Sequence, residues 1–281
     1  MLNQTNLPID AHTQVVGVVG YPVRHSLSPR MHNAALAHLR LNWVYLAFEV
    51  GPNHLHDAVR GMRVLQFRGL NLTIPHKEPA CAMVDRLTPQ AQAIGAVNTL
   101  FWDSAYLTGD NTDAEGFLRA LQEEAIDPAG QTVLVLGAGG SARAVVYALS
   151  QRGARVWLAN RHPERAHQLA QIYPVESVLE WEPQALRHAL HQVDGVVNCT
   201  PLGMHPHPNR MPPVEVEALP SHAWVCDLVS QPVETRLLQS ARAHQLKAVS
   251  GLGMLVWQGA LALERWTGVP APIEAMKQAV L

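Results

Sequence analysis

The stretch Val133-Leu-Val-Leu136-Gly137-Ala138-Gly139-Gly140-Ser141-Ala142-Arg143 decides the fold. Four consecutive apolar residues read as a buried strand, and the glycines lead into a segment with helical spacing that runs to about residue 152. The pattern is G-x-G-x-x-A, between a strand and a helix, where a dinucleotide-binding turn belongs. Gly137 permits the tight turn, Gly139 lets backbone N–H groups approach a pyrophosphate, and Ala142 allows close helix–strand packing. The competing reading is a tight structural turn that binds nothing.

The end of the next strand, 155–159, selects the cofactor. An NAD site usually places Asp or Glu there, on the ribose hydroxyls. This chain has Asn160-Arg161, then Pro163 to open a helix and Arg165 in its first turn. Two guanidiniums suit a 2′-phosphate through charge-assisted, bidentate hydrogen bonds, so NADP is expected rather than NAD. The plainer alternative is two solvated surface arginines.

Outward from this turn, strand-like and helix-like segments alternate, the signature of an α/β fold with parallel sheets. Before it, strands are expected at 15–20, 44–50 and 67–74, with helices at 29–39, 55–63 and 76–87. Residues 98–102 and 105–109 read as a hairpin turning at Asp103-Ser104, followed by a helix over 114–125. After it, strands are expected at 195–199, 224–228 and 247–249. The segment 254–266 is apolar nearly all round and should be a buried helix. Two domains result. The first is an α/β domain with a mainly parallel sheet (1–113), and the second is a Rossmann domain (114–250).

A chain of 281 residues, 48% hydrophobic and 16% charged, can bury two such cores. Its net charge of −2 argues against a polybasic nucleic-acid binder, so an anionic ligand needs local groups. The three cysteines form no CxxC pair, which supports neither a disulfide framework nor a zinc ribbon. His205-Pro-His207 and His188 with His191 have ligand-like spacing but no third ligand, so no metal is expected. Residues 1–14 are polar and no run approaches ~20 apolar residues, which points to a cytoplasmic protein that is not in the membrane.

Three polar clusters remain. Ser26-Leu-Ser28-Pro29 follows the first strand, and Ser28 suits a helix N-cap with Pro29 next. Capping alone would explain Ser28, but two hydroxyls at a helix N-terminus also make a carboxylate site. Asn71-Leu-Thr73-Ile-Pro-His-Lys77 carries one of only three lysines in the chain. Lys77 falls in the first turn of the expected 76–87 helix, where the dipole opposes a cation and would favour proton transfer. Pairing with Glu78 is the bland alternative. Asn111-Thr-Asp113 opens another helix, where Asp113 either caps it or pairs with Lys77 and a substrate hydroxyl. Asn98 precedes the hairpin as a turn former or a donor, and Gln258 is an amide in an apolar helix that needs a partner.

Together these segments resemble the shikimate dehydrogenase family. The matching elements are Ser26–Pro29, Asn71–Lys77, Gly95–Thr99, Asn111–Asp113, Gly137–Ala142, Asn160-Arg161 with Arg165, Asn198–Met204 and Gly251–Ala260, in order over about 15–268. The resemblance implies reversible NADPH-dependent reduction of 3-dehydroshikimate to shikimate in aromatic amino-acid biosynthesis, by a monomer or homodimer. It implies that the C-terminal helices (251–281) complete the first domain as the substrate-binding domain, that the catalytic cleft lies between the two domains, and that Ser26 and Ser28 hold the substrate carboxylate. Thr73, Asn98, Asp113 and Gln258 would meet the ring hydroxyls, with Lys77 as general acid/base and Asp113 as its catalytic partner. NADP would lie on Gly137, Ala138, Gly139, Gly140, Ser141, Ala142, Asn160, Arg161 and Arg165, with Leu228, Gly251 and Met254 on the nicotinamide side.

Three positions depart from the family pattern. Ser230 stands where a tyrosine usually reaches the substrate. Cys199 replaces a small apolar residue, and Leu263 an aromatic; both read as core substitutions. The rival readings are an NAD-preferring quinate/shikimate dehydrogenase, against which Arg161 and Arg165 argue, and a non-catalytic NADP-binding sensor, against which Lys77 and Asp113 argue. A tetrahydrofolate dehydrogenase fits the paired serines less well than a small carboxylate does.

Overall fold

A computed structural model describes residues 9–281, so part of the polar N-terminal stretch, 1–8, lies outside the described residues. The chain divides into two compact units, one running to Thr112 and taking back Val256–Leu281, the other spanning Asp113–Leu255.

The first unit is built on β1 (Gln14–Gly20), α1 (Ser28–His38), β2 (Trp43–Glu49), α2 (Leu55–Val64), β3 (Gly69–Leu72), β4 (Arg86–Leu87), α3 (Pro89–Ile94), β5 (Thr99–Asp103) and β6 (Tyr106–Asp110). Its sheet runs β2-β1-β3-β5-β6-β4. The pairs β1–β2, β1–β3 and β4–β6 are parallel, and the hairpin strand β5 is antiparallel to both β3 and β6. Val19, Leu70, Leu72, Leu100 and Leu107 from the sheet bury against Leu55, Val59 and Met62 of α2. Each such side chain contributes roughly 1.5–3 kcal/mol of burial.

The second unit comprises α4 (Asp113–Glu123), β7 (Thr132–Leu136), α5 (Gly140–Gln151), β8 (Arg155–Ala159), α6 (Pro163–Ala170), β9 (Val175–Leu179), α7 (Pro183–Leu190), β10 (Gly195–Asn198), β11 (Trp224–Asp227), α8 (Arg236–Ala243) and β12 (Lys247–Ser250). Every strand pair is parallel, in the order β12-β11-β10-β7-β8-β9. This is the doubly wound order, with its reversal between β7 and β10. Helix α9 (Gly251–Thr267) crosses from this unit to the first, and α10 (Ile273–Val280) packs on α1.

The sequence reading is corrected at three places. The 76–87 helix does not form. Pro79 interrupts it, a single 3-10 turn covers Pro79–Ala82, and Arg86–Leu87 joins the sheet edge beside β6. The apolar spacing there serves core packing, because Ala80, Met83, Val84 and Leu87 all pack into the α2 cluster. The hairpin turns at Ser104-Ala105 rather than Asp103-Ser104, since Asp103 pairs with Tyr106 and Ser104 takes the positive φ of 57°. Ser28 is the first helical residue rather than the cap. Leu27 precedes it with helical angles, and the Ser28 N–H donates to Ser26 Oγ at 3.2 Å.

Candidate active site

In the first unit, the ends of β1 and β3 and the residues before β5 carry the predicted polar groups. The loop after β1, bearing Ser26 and leading to Ser28 at the start of α1, lies against the loop after β3, bearing Thr73 and Lys77. A Cβ at Gly20 would collide with the Thr73 methyl and with Val23, so this close approach needs glycine. Backbone bonds lock the loops together, with the Thr73 N–H donating to Val19 O at 2.9 Å and Tyr21 N–H to Ile74 O at 2.9 Å.

Lys77 sits in a turn, so the helix dipole expected from the sequence does not act on it. Its backbone carbonyl instead accepts from Val97 N–H at 2.7 Å, which ties it to the residue before Asn98. Asn98 is 2% exposed. Its Oδ1 accepts from Thr112 N–H at 2.8 Å and from Thr99 Oγ1 at 2.9 Å. Its Nδ2 donates to Thr112 Oγ1 at 2.9 Å and to Gln258 Oε1 at 3.2 Å. Gln258 thus finds the partner a half-buried amide requires. Two turns further along α9, Arg265 Nε donates to Asp110 at 2.9 Å and Trp266 Nε1 to Leu100 O at 3.0 Å, which pins the helix on β5 and β6. Asp113 is buried at the first residue of α4.

The second unit supplies the glycine turn. Gly137 has φ +113°, a backbone that favours glycine, and a Cβ there would press on the Cys199 carbonyl and Thr200 at 3.3 Å. The turn therefore packs on the loop after β10, at the reversal in strand order. Gly139 flanks α5, and a Cβ there would meet nothing within 4 Å. The open space sits over a helix N-terminus, where free N–H groups favour an anion. Ala142 is fully buried, as close helix–strand packing requires. Gly137 N–H donates to Ala159 O at 2.8 Å, so Asn160 and Arg161 follow β8 directly beside this turn. Asn160 Nδ2 donates to His162 O at 2.8 Å, while Arg161 and Arg165 are exposed, the latter in the first turn of α6. These groups fit a phosphorylated dinucleotide.

Leu228 and Gly251 lie together beyond β11 and β12, because a Cβ at Gly251 would fall 2.6 Å from the Leu228 carbonyl, and Met254 follows in the first turn of α9. The loop carrying Leu228 and Ser230 hangs on Asp227, which is fully buried. Its carboxylate accepts from Asn198 Nδ2 at 2.9 Å, Val229 N–H at 3.1 Å and Thr235 Oγ1 at 2.7 Å. Asn198 Oδ1 in turn accepts from Thr200 N–H and Oγ1. Burial raises the Asp227 pKa to about 6, against the lowering by the bonds from Thr235, Val229 and Asn198.

Sequence reading missed Asp227, which looks like the last residue of an apolar strand. It also missed Tyr45, Thr99 and Thr112 as polar partners. Tyr45 is fully buried, stacked on His32 with ring centroids 4.2 Å apart, and burial drives its pKa well up. His32, buried with neither ring nitrogen hydrogen-bonded, is held neutral with its pKa pushed down to about 3.

A doubly wound unit with a glycine turn, joined to a unit with lysine, hydroxyls and amides at its strand ends, defines a two-unit dinucleotide-dependent oxidoreductase. Family models agree segment by segment: residues 18–100 match the shikimate dehydrogenase substrate binding domain, 120–208 the shikimate / quinate 5-dehydrogenase domain, and 251–281 the shikimate 5'-dehydrogenase C-terminal domain. The NADP(+) shikimate dehydrogenase of Carboxydothermus hydrogenoformans is 42% identical over 97% of this chain and 98% of its own. A crystal structure of a shikimate dehydrogenase in complex with NADP+ superposes with a TM-score of 0.90 at 39% identity, covering 97% of this chain and 96% of that one. The Thermus thermophilus enzyme, in complex with NADP(H) and shikimate, gives 0.85 at 42% identity over 95% and 98%. The chain belongs to the shikimate dehydrogenase family.

Proposed function

We propose that this chain catalyses the reversible reduction of 3-dehydroshikimate to shikimate with NADPH, in aromatic amino-acid biosynthesis. The observation that carries the reading is the lock between Lys77 O and Val97 N–H, which sets a lysine beside the Asn98–Gln258 amide pair. Ser26 and Ser28 take the substrate carboxylate, and Thr73, Asn98, Gln258 and Asp113 take ring hydroxyls. Lys77 Nζ gives its proton to the substrate oxygen during reduction and takes it back during oxidation. Asp113 serves the same substrate as an acceptor.

NADP, when bound, supplies the hydride chemistry. Gly137, Ala138, Gly139, Gly140, Ser141 and Ala142 would hold its pyrophosphate, and Asn160, Arg161 and Arg165 its adenosine end with the 2′-phosphate. Leu228, Gly251 and Met254 would line the nicotinamide side. A cytoplasmic location belongs to the same reading; no helix among the described residues is long and apolar enough to cross a membrane. So does a monomer or homodimer.

Lys77→Ala tests the reading. Turnover should fall by ~10²–10⁴, the usual share of a general acid/base, with NADP binding unchanged by fluorescence titration. Asp113→Asn should also lose turnover, and the losses should not multiply in the double variant, because the two act as a unit. Near-normal turnover of Lys77→Ala would remove the assignment.

A further inference from the structure

The segment Asn198-Cys-Thr-Pro-Leu-Gly-Met204 matches the family pattern, yet the assignment of substrate and cofactor groups leaves it without a part. In the fold it begins at the end of β10, where Asn198 pairs in register with Asp227 at the end of β11. Asn198 Nδ2 donates to Asp227 Oδ1 at 2.9 Å and to Leu202 O at 3.2 Å. Its Oδ1 accepts from Thr200 N–H at 3.0 Å and Thr200 Oγ1 at 2.7 Å. All four hydrogen-bonding positions of the amide are filled. Asp227 Oδ1 also accepts from Val229 N–H at 3.1 Å, and Oδ2 accepts from Thr235 Oγ1 at 2.7 Å. Both side chains are fully buried, so neither can touch a ligand and any function passes through the loops they hold.

Those loops carry cofactor groups. Thr200 lies under the glycine turn, where a Cβ at Gly137 would stand 3.3 Å from its methyl. Leu228 N–H donates to Asn198 O at 3.0 Å. A Cβ at Gly251 would stand 2.6 Å from Leu228 O and 2.8 Å from Asp227 O, so the first turn of α9, with Met254, starts against this same peptide. The adenosine end is held from elsewhere. Gly137 N–H donates to Ala159 O, and Asn160, Arg161 and Arg165 follow β8, on the far side of β7 from β10. The partners of Asp227 lie in β10, in the loop after β11 and at the start of α8.

We propose that Asp227 and Asn198 are positioning residues, a saturated side-chain clamp that sets the Leu228 peptide and through it the nicotinamide end of the dinucleotide site, independently of the adenosine end. This deepens the cofactor reading and rests on Leu228, Gly251 and Met254 facing the nicotinamide. The clamp acts through its bonds and not through its charge. An asparagine at 227 can keep all three: its oxygen takes the Asn198 and Val229 donors, and its amide donates to Thr235 Oγ1. That oxygen already accepts from Leu238 N–H at 3.3 Å and has a second lone pair free once its own hydrogen turns away. An alanine leaves three buried donors without an acceptor.

The test is calorimetric titration of the full chain with two ligands, NADP+ and adenosine 2′,5′-bisphosphate, which has the 2′-phosphate and no nicotinamide. Asp227→Ala should raise the NADP+ Kd about 10- to 100-fold, the range for unsatisfied buried donors, and leave the bisphosphate Kd within about twofold. Asp227→Asn should restore most of the NADP+ affinity. Equal weakening of both ligands would overturn the clamp and leave Asp227 as a residue that merely holds the unit together. Unchanged NADP+ affinity in Asp227→Ala, or an Asn variant no better than Ala, would overturn it too. A natural chain that binds neither ligand would overturn the cofactor reading beneath it instead. If Asp227→Ala does not fold, Thr235→Val takes its place with Thr235→Ser as the restoring variant, and the same outcomes decide.

Discussion

The two units bury their polar groups by opposite means. In the first, Asp110 is matched by Arg265 at 2.9 Å and by the Thr88 hydroxyl at 2.7 Å, and its other buried hydrogen-bonded side chains include amides, hydroxyls, a phenol and the His76 imidazole. In the second, Asp227 has only neutral donors, from Asn198, Val229 and Thr235. The first arrangement compensates the negative charge of Asp110, which suits an anionic substrate on the proposed reading of Ser28 and Asn98. The second uses a carboxylate's several acceptor positions to tie together the loops after β10 and β11 and the start of α8. The ionised form is disfavoured by burial in return.

The largest effect should separate the two units by ligand. Replacing Arg161 and Arg165 together with Ala should weaken NADPH binding on the order of 10²- to 10⁴-fold, since each charged hydrogen bond contributes about 1.5–3 kcal/mol. NADH binding and the shikimate KM should barely move. Equal losses for NADPH and NADH would mean that the arginines do not read the 2′-phosphate.

The next effect separates them by pH. His32 has a folded pKa of about 3 against 6.5 when unfolded. Its contribution to stability is full above pH 6.5 and is lost as pH falls toward 3, up to ~5 kcal/mol over the window. Asp227 has the reverse sign, because its folded pKa of about 6 lies above 3.8. Its contribution is full below pH 3.8 and is lost as pH rises to 6, up to ~3 kcal/mol. Relative to the natural chain, His32→Phe should therefore gain stability on going from pH 7 to pH 4 in urea titrations. Asp227→Asn should lose relative stability over the same descent. Parallel pH curves for either variant and the natural chain would contradict the assignment of that group.

The smallest effect concerns Ser230. Ser230→Tyr should lower the shikimate KM by up to about tenfold, the worth of one hydroxyl contact, without changing the NADP+ KM. Collapse of turnover in a folded variant would show that the loop after β11 has repacked around serine.

Much of this molecule was legible because local chemistry and tertiary role coincide. The Val133–Leu136 run, the glycines and Ala142 each do in the fold what their residue types dictate. Helix 76–87 was misread because apolar spacing on a short segment serves a sheet edge as well as a helix, and Pro79 outweighed it. Lys77 was singled out for a helix dipole that is absent; what locates it is a backbone bond to Val97, which no side-chain pattern records. Ser28 has the residue type of a cap, whereas it is the first residue of α1 and its N–H donates to Ser26 Oγ. Asp227 and Tyr45 escaped because one partner of each, Asn198 and Asn71, comes from another strand.

The proposed NADPH-dependent reduction is checked by following NADPH absorbance at neutral pH with 3-dehydroshikimate, beside NADH and 3-dehydroquinate controls. Rapid oxidation of NADPH with 3-dehydroshikimate, much slower oxidation of NADH, and little turnover of 3-dehydroquinate are the expected result. A preference for NADH, a preference for 3-dehydroquinate, or NADPH binding without turnover of either ketone would contradict it.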